Sequence, residues 1–183
     1  MGNPPRKNPL FSLCGLNGAL CPMHLGGYCP GCGGGPGDPS CAIARCGGEH
    51  GVEFCFACGD YPCVKYEGFD EFDFFLTHRG RAGNLERALA VGTDVYLAEL
   101  VRKQEALAEY NDGRRKTFYC AVVSLLELSD VEEVMEQLAA QTAPEAETAG
   151  DKARRAVGLF EKKASERGVE WKLRKKPRGI PGE

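Results

Sequence analysis

The stretch CFACGDYPC, Cys55 to Cys63, puts three thiols into nine residues and closes a larger group. Nine of the ten cysteines lie between positions 14 and 63: Cys14, Cys21, Cys29, Cys32, Cys41, Cys46, Cys55, Cys58 and Cys63. All nine are candidate metal ligands, because a thiolate is a soft anionic donor suited to zinc or to iron–sulfur chemistry. CPGC (Cys29, Cys32) and CFAC (Cys55, Cys58) are C-x2-C pairs with 22 residues between them, near the spacing of a four-thiolate zinc site. The two-residue gap lets the backbone form a tight knuckle whose sulfurs both reach one ion at about 2.3 Å. Gly31 and Gly59 are expected to supply the backbone angles of such knuckles.

The remaining head cysteines obey other rules. CAIARCGGEHG reads as a short helix stopped by Gly47 and Gly48, with Ile43 inward and Cys41 and Cys46 near its two ends. Cys14 and Cys21 are seven apart, and Cys63 follows Cys58 by five through DYPC. Nine thiols exceed the needs of one ion. Two tetrahedral ions take eight, and Cys21-Pro-Met-His24 has a knuckle's spacing for His24 as a further ligand. His50, at the end of the short helix, reads as a solvated cap and His78 as a boundary residue. Cys120, in FYCAVVSLL, reads as a small buried hydrophobe.

Clustered thiols become disulfides in an oxidising compartment and metal ligands in a reducing one. The first residues, MGNPPRKNPLFSLCG, make a poor export signal, since the apolar run LFSL ends at Cys14 and Gly15. No stretch approaches the eighteen or so apolar residues of a membrane span. The expected setting is a reducing cytoplasm, with no membrane contact.

The order CGLNGALCP, CPGC, CAIARC and GVEFCFACGDYPC resembles the cysteine-rich prokaryotic domain-of-unknown-function family numbered 3795. NLERALAVGTDVYLAE and YNDGRRKTFYCAVVSLL resemble that family's helical continuation, so the resemblance covers most of residues 14 to 126. It implies metal binding, with zinc as the metal, and no established reaction. One departure is Gly18, where the family commonly has a further cysteine, which makes His24 a candidate substitute.

Composition changes along the chain and defines what must position these thiols. Gly, Pro and Cys crowd the chain to about residue 68, while Ala, Leu, Glu, Lys and Arg dominate beyond residue 84. The expected fold is mainly α, with a small, irregular, metal-stapled head of short β and knuckle elements. Residues 1–13 are expected to be a flexible N-terminus, 14–83 the cysteine-rich head, 84–143 a helical body, 144–150 a linker, and 151–183 a C-terminal helix, short strand and basic tail. Within the body, Asn84 is expected to cap a helix ending at Gly92, and Thr93 to start one reaching Tyr110, with Leu97, Leu100, Val101 and Gln104 on one face. NDG at 111–113 breaks it, and Phe118 to Leu128 follows as a helix, with a buried strand over Tyr119 to Val123 as the alternative. Ser129 and Glu132 have capping-box spacing for the next helix, and Asp151 to Arg167 is amphipathic. VEWKLR alternates like a half-buried strand. Between head and body, Phe69, Phe72, Phe75 and Leu76 recur at helical spacing and are expected to seal the two together.

A formal net charge of -3 gives no global field for nucleic acid, so strong nucleic-acid binding is not expected. Lys172, Arg174, Lys175, Lys176 and Arg178 form a basic tail, and NDGRRK, Asn111 to Lys116, a second cationic loop; a solvated tail explains the first more simply than phosphate binding does. Three functional classes remain. The favoured one is a zinc protein with two structural thiolate sites, acting as a binding or adaptor module whose partner is unnamed, with protein the favoured class. An iron–sulfur or thiol redox protein is the alternative, given Pro after Cys21 and Cys29. A catalytic metal enzyme is weakest, because no H-E-x-x-H or similar motif supplies an open coordination position with a general base.

Overall fold

The computed structural model describes residues 6–32, 41–110, 114–141 and 147–177. Among them the chain forms seven α-helices and three 3-10 turns and no β-strand. The helices are α1 (Pro22–Leu25), α2 (Ala42–His50), α3 (Arg81–Val91), α4 (Thr93–Tyr110), α5 (Lys116–Leu125), α6 (Leu128–Ala140) and α7 (Ala149–Glu166). The expected mainly α class therefore holds. The short β elements expected in the head are not formed among the described residues; 3-10 turns at Gly18–Leu20, Cys55–Ala57 and Val64–Tyr66 take their place. A head rich in Gly, Pro and Cys has too few β-branched and aromatic runs to build a ladder.

One apolar core runs through head and body. Phe11, Ala19, Leu20 and Phe54 from the head pack in the same cluster as Leu85, Ala88, Tyr96 and Leu100 of α3 and α4. Val122 and Val123 of α5, Val131, Val134 and Leu138 of α6, and Ala156 and Phe160 of α7 complete it. Burying a side chain such as Phe160 stabilises the fold by about 1.5–3 kcal/mol. α6 packs on α7, and α4 touches α3, α5, α6 and α7, so it is the central strut of the body.

Several boundaries differ from expectation for local reasons. The N-terminal segment is not loose from Arg6 onward: Phe11 is fully buried, and Arg6 donates to the Phe11 carbonyl at 2.7 Å and pairs with Glu53 at 3.4 Å. Residues 1–5 lie outside the described residues. α3 begins at Arg81, because Gly80 at φ 77 forms its left-handed N-cap, so a head ending at residue 83 would cut a helix. Asn84 sits inside that helix and donates to the Gly15 carbonyl at 2.9 Å. α4 has the expected bounds, and its buried residues include Tyr96 and Lys103, which periodicity did not single out.

α5 is helical throughout its apolar run, with no strand over Tyr119 to Val123 and with Cys120 buried as expected. α6 starts at Leu128 with no side-chain cap, so the box expected of Ser129 and Glu132 is absent. Glu132 instead pairs with Arg102. The capping box that does form is Thr148 with Asp151, which starts α7 inside the expected linker. Residues 142–146, the NDG break at 111–113 and Arg178 lie outside the described residues.

VEWKLR keeps its alternation without becoming a strand. Val169, Trp171 and Leu173 are half-buried while Glu170, Lys172 and Arg174 are exposed, and among the described residues there is no strand to pair with them. Trp171 packs edge-on against Phe118 at 4.7 Å, and the Arg174 backbone exchanges hydrogen bonds with Asp73 at 2.7 and 2.9 Å. The 66–78 segment is likewise not a helix: Tyr66 ends the 3-10 turn Val64–Tyr66, and turns and bends follow. Phe69 packs against the Leu13, Cys14 and Ile43 cluster and Leu76 is buried, but Phe74 and Phe75 are exposed.

Candidate metal centre

All ten cysteines are free thiols. Four of them line one cavity, and four others act electrostatically on Cys32. The first turn of this arrangement is α2, whose N-cap is Cys41: its sulfur accepts the Ala44 N–H at 3.5 Å. α2 does not stop at Gly47 and Gly48 as expected but continues to His50, and Gly51 at φ 62 caps it. Gly47 is buried inside the helix because a Cβ there would meet Leu13 at 2.9 Å.

Gly51 reverses the chain, and Phe54, buried against Phe11 at 5.4 Å, pins the return. The Cys55 N–H then bonds to the Leu13 carbonyl at 2.9 Å, and the Cys58 N–H folds back to the Cys55 carbonyl at 2.9 Å, closing the CFAC knuckle. Gly59 has no positive φ and is not what shapes this knuckle, whereas Gly31 in CPGC, at φ 91, is.

The reversal gathers Cys46, Cys55, Cys58 and Cys63 around one small cavity of about 30 Å³, together with Ile43, His50, Tyr61 and Tyr66. That is room for an ion or a water or two. Burial pushes the Cys55 thiol up to about 11; a Tyr66 hydrogen bond opposes this, and the nearby thiols of Cys14, Cys63 and Cys46 add to it. The Tyr66 hydroxyl, itself raised by burial and by Cys55, also donates to the Cys14 carbonyl at 3.3 Å.

A second set of thiols is marked by its electrostatic effect on Cys32. By surface area Cys32 is exposed, yet its sulfur is crowded by surrounding atoms. Burial pushes its thiol up to about 12, with the thiols of Cys14, Cys21, Cys29 and Cys41 pushing the same way. Cys14 acts on both Cys55 and Cys32; it is buried beside Leu13 and Ile43, with its sulfur 3.2 Å from the Ser12 hydroxyl. The CFAC pair lines the cavity and the CPGC pair does not, although their spacing invites a shared site. Cys120 is buried in the helical core, and burial pushes its thiol up to about 12, with the Cys21 thiol adding to the shift.

Two histidines lie beside the thiol-bearing segments. His50 Nδ1 lies 2.9 Å from the Cys46 carbonyl and 3.6 Å from its sulfur, so it caps α2 as expected but also borders the first thiol group. A ring nitrogen of His50, the Cys58 sulfur and an Asp60 carboxylate oxygen all lie within 4.8 Å of one another. Sequence reasoning missed this, though Cys46 and His50 are four apart in a helix and so share a face. His24 Nδ1 is buried with no hydrogen-bond partner, and it faces Gly31 of the CPGC turn.

The donor set fits a soft divalent ion. Burial first, and neighbouring thiols second, make Cys55 and Cys32 resist deprotonation, and a bound cation would remove that resistance. No protein-family model, curated protein or solved structure matches the chain. No helix among the described residues is long and apolar enough to cross a membrane.

Proposed function

We propose that this protein is a metal-binding module whose head holds two zinc ions in structural thiolate sites, the family resemblance in its cysteine order pointing the same way. One ion draws on Cys46, Cys55, Cys58 and Cys63, and the other on Cys14, Cys21, Cys29, Cys32 and Cys41. The observation that carries this reading is a small cavity ringed by four free thiols, Cys46 of α2 and Cys55, Cys58 and Cys63 of the CFACGDYPC stretch. Metal binding in such sites supplies on the order of 10 kcal/mol or more, enough to fold a segment too rich in glycine to build a core alone. The module acts through binding, as an adaptor for a partner protein in the cytoplasm.

Native mass spectrometry of protein purified without oxygen tests it, alongside its absorption spectrum. Two zinc ions in a colourless protein, one lost in Cys55→Ser or Cys58→Ser and none in Cys120→Ser, is the expected result. A metal-free folded head, or one ion only, would sink the two-site reading. A brown preparation with labile sulfide would replace it by the iron–sulfur alternative.

A further inference from the structure

We infer that His50, Cys58 and Asp60 form a loading port, a solvent-facing three-donor site that takes a divalent ion from solution and hands it to the thiolate centre behind it. This inference rests on the proposed ion at Cys46, Cys55, Cys58 and Cys63, and it concerns how that ion arrives and leaves.

Three observations carry it. The centre has six donors where a tetrahedral ion takes four: Cys46, Cys55, Cys58 and Cys63 line the cavity with His50, and Asp60 converges on His50 and Cys58. The three port donors already lie within 4.8 Å of one another. An ion with bonds of about 2.0–2.3 Å holds its donors roughly 3.3–3.8 Å apart, so side-chain rotations of about 1 Å close the port. Exposure then falls along the path: His50 and Asp60 are exposed and Cys58 is half-buried. Cys58 is the donor common to both sites.

The imidazole is oriented for this task. Its Nδ1 lies 2.9 Å from the Cys46 carbonyl, which can only accept, so Nδ1 carries the proton and Nε2 keeps its lone pair for metal. Such a carbonyl bond to the far ring nitrogen is the usual support of a metal-ligating histidine. Transfer needs no oxidant or reductant. A thiol of Cys46, Cys55 or Cys63 releases its proton to water as its sulfur–metal bond forms, and the bond to the His50 nitrogen or the Asp60 oxygen breaks. Borderline donors such as imidazole and carboxylate bind zinc less tenaciously than thiolate, which suits a transient position.

The test uses the full zinc-loaded chain with His50→Ala, Asp60→Asn and the double variant. Native mass spectrometry counts the ions, and exchange with isotopically enriched zinc measures how fast each leaves. The double variant is expected to keep two ions while one of them exchanges about tenfold more slowly. Cobalt loading adds a second readout, in which an early spectrum with few sulfur-to-cobalt bands matures to a thiolate-rich one in wild type and lacks the early phase in the double variant. Unchanged exchange and an unchanged cobalt time course, with two ions still bound, would overturn the port alone. A wild-type protein that binds no second ion would overturn the underlying site instead.

Discussion

The Tyr96 hydroxyl donates a 2.8 Å hydrogen bond to Asn17 Oδ1, and both residues are buried. It joins the first turn of α4 to the chain between Cys14 and Cys21, so the helical body holds the ligand-bearing chain directly. Burial leaves this hydroxyl un-ionised by raising it well above the ordinary tyrosine range. Tyr96→Phe keeps the ring on Phe11 but strands the Asn17 acceptor away from water. The expected cost is about 1–3 kcal/mol, measured by denaturant unfolding, and larger than that of removing the exposed Arg87–Glu99 pair.

Gly15 marks a second junction. It has φ 92, and a Cβ there would lie 2.1 Å from the Arg81 carbonyl oxygen, which is backbone at the start of α3 and cannot step aside. Gly15→Ala therefore combines left-handed strain with a backbone clash, and a loss of about 3 kcal/mol or more is expected. Gly59→Ala, where nothing lies within 4 Å and φ is not positive, is the matched control and is expected to change stability by well under 1 kcal/mol. Thermal unfolding of the two variants at equal metal loading distinguishes them.

How far these features were legible from residue order depends on their range. The bounds of α4 follow from Gly92, Thr93 and an unbroken helix-forming run, all local information. The 66–78 segment misleads because its phenylalanines have helical spacing while its polar groups are already spoken for. Asp73 accepts from the Thr77 hydroxyl, the His78 N–H and the Arg174 N–H, and Gly68 takes φ 67, so local turns win over a helix. Thiol type and number are plain in the sequence. Which of them line the cavity is not, because Gly51 and Phe54 decide it by returning the chain from Cys46 to Cys55, and the contact of Phe54 with Phe11 is long-range.

Arg81 provides a test of what holds the 66–78 turns in place. Its side chain is 1% exposed, its guanidinium carbon stands 3.8 Å over the Phe69 ring and 5.0 Å over Tyr66, and Nε donates to Asp70 at 2.7 Å. Its two terminal nitrogens have no hydrogen-bond partner. Stacking on the two rings and packing should therefore dominate over the ion pair, since Asp70 is 46% exposed. Arg81→Lys, which keeps the charge and loses the planar stack, is expected to cost about 1–2 kcal/mol. Asp70→Asn is expected to cost under about 1 kcal/mol. The reverse ranking in denaturant unfolding would assign the stability to the ion pair.

The last prediction concerns pH and rests on His78, which is buried against Phe69 with its ring stacked at 4.9 Å. Burial lowers its pKa below the usual histidine value, with Arg81 pushing the same way; the Phe69 carbonyl at 3.2 Å and the carboxylates of Asp73 and Asp70 oppose the shift. The unfolded chain therefore binds a proton at His78 more readily than the folded one. Stability rises with pH wherever the unfolded state holds more protons, so the neutral imidazole stabilises the fold above the ordinary histidine pKa of about 6.5. That contribution is lost progressively as pH falls from there toward the lower folded value. His78→Asn can keep the bond to the Phe69 carbonyl through its amide N–H without titrating. Between pH 7.5 and pH 6, at equal metal loading, wild type is expected to lose more unfolding free energy than His78→Asn. Equal losses would mean that His78 does not titrate in this range and that acid acts on the protein through other groups.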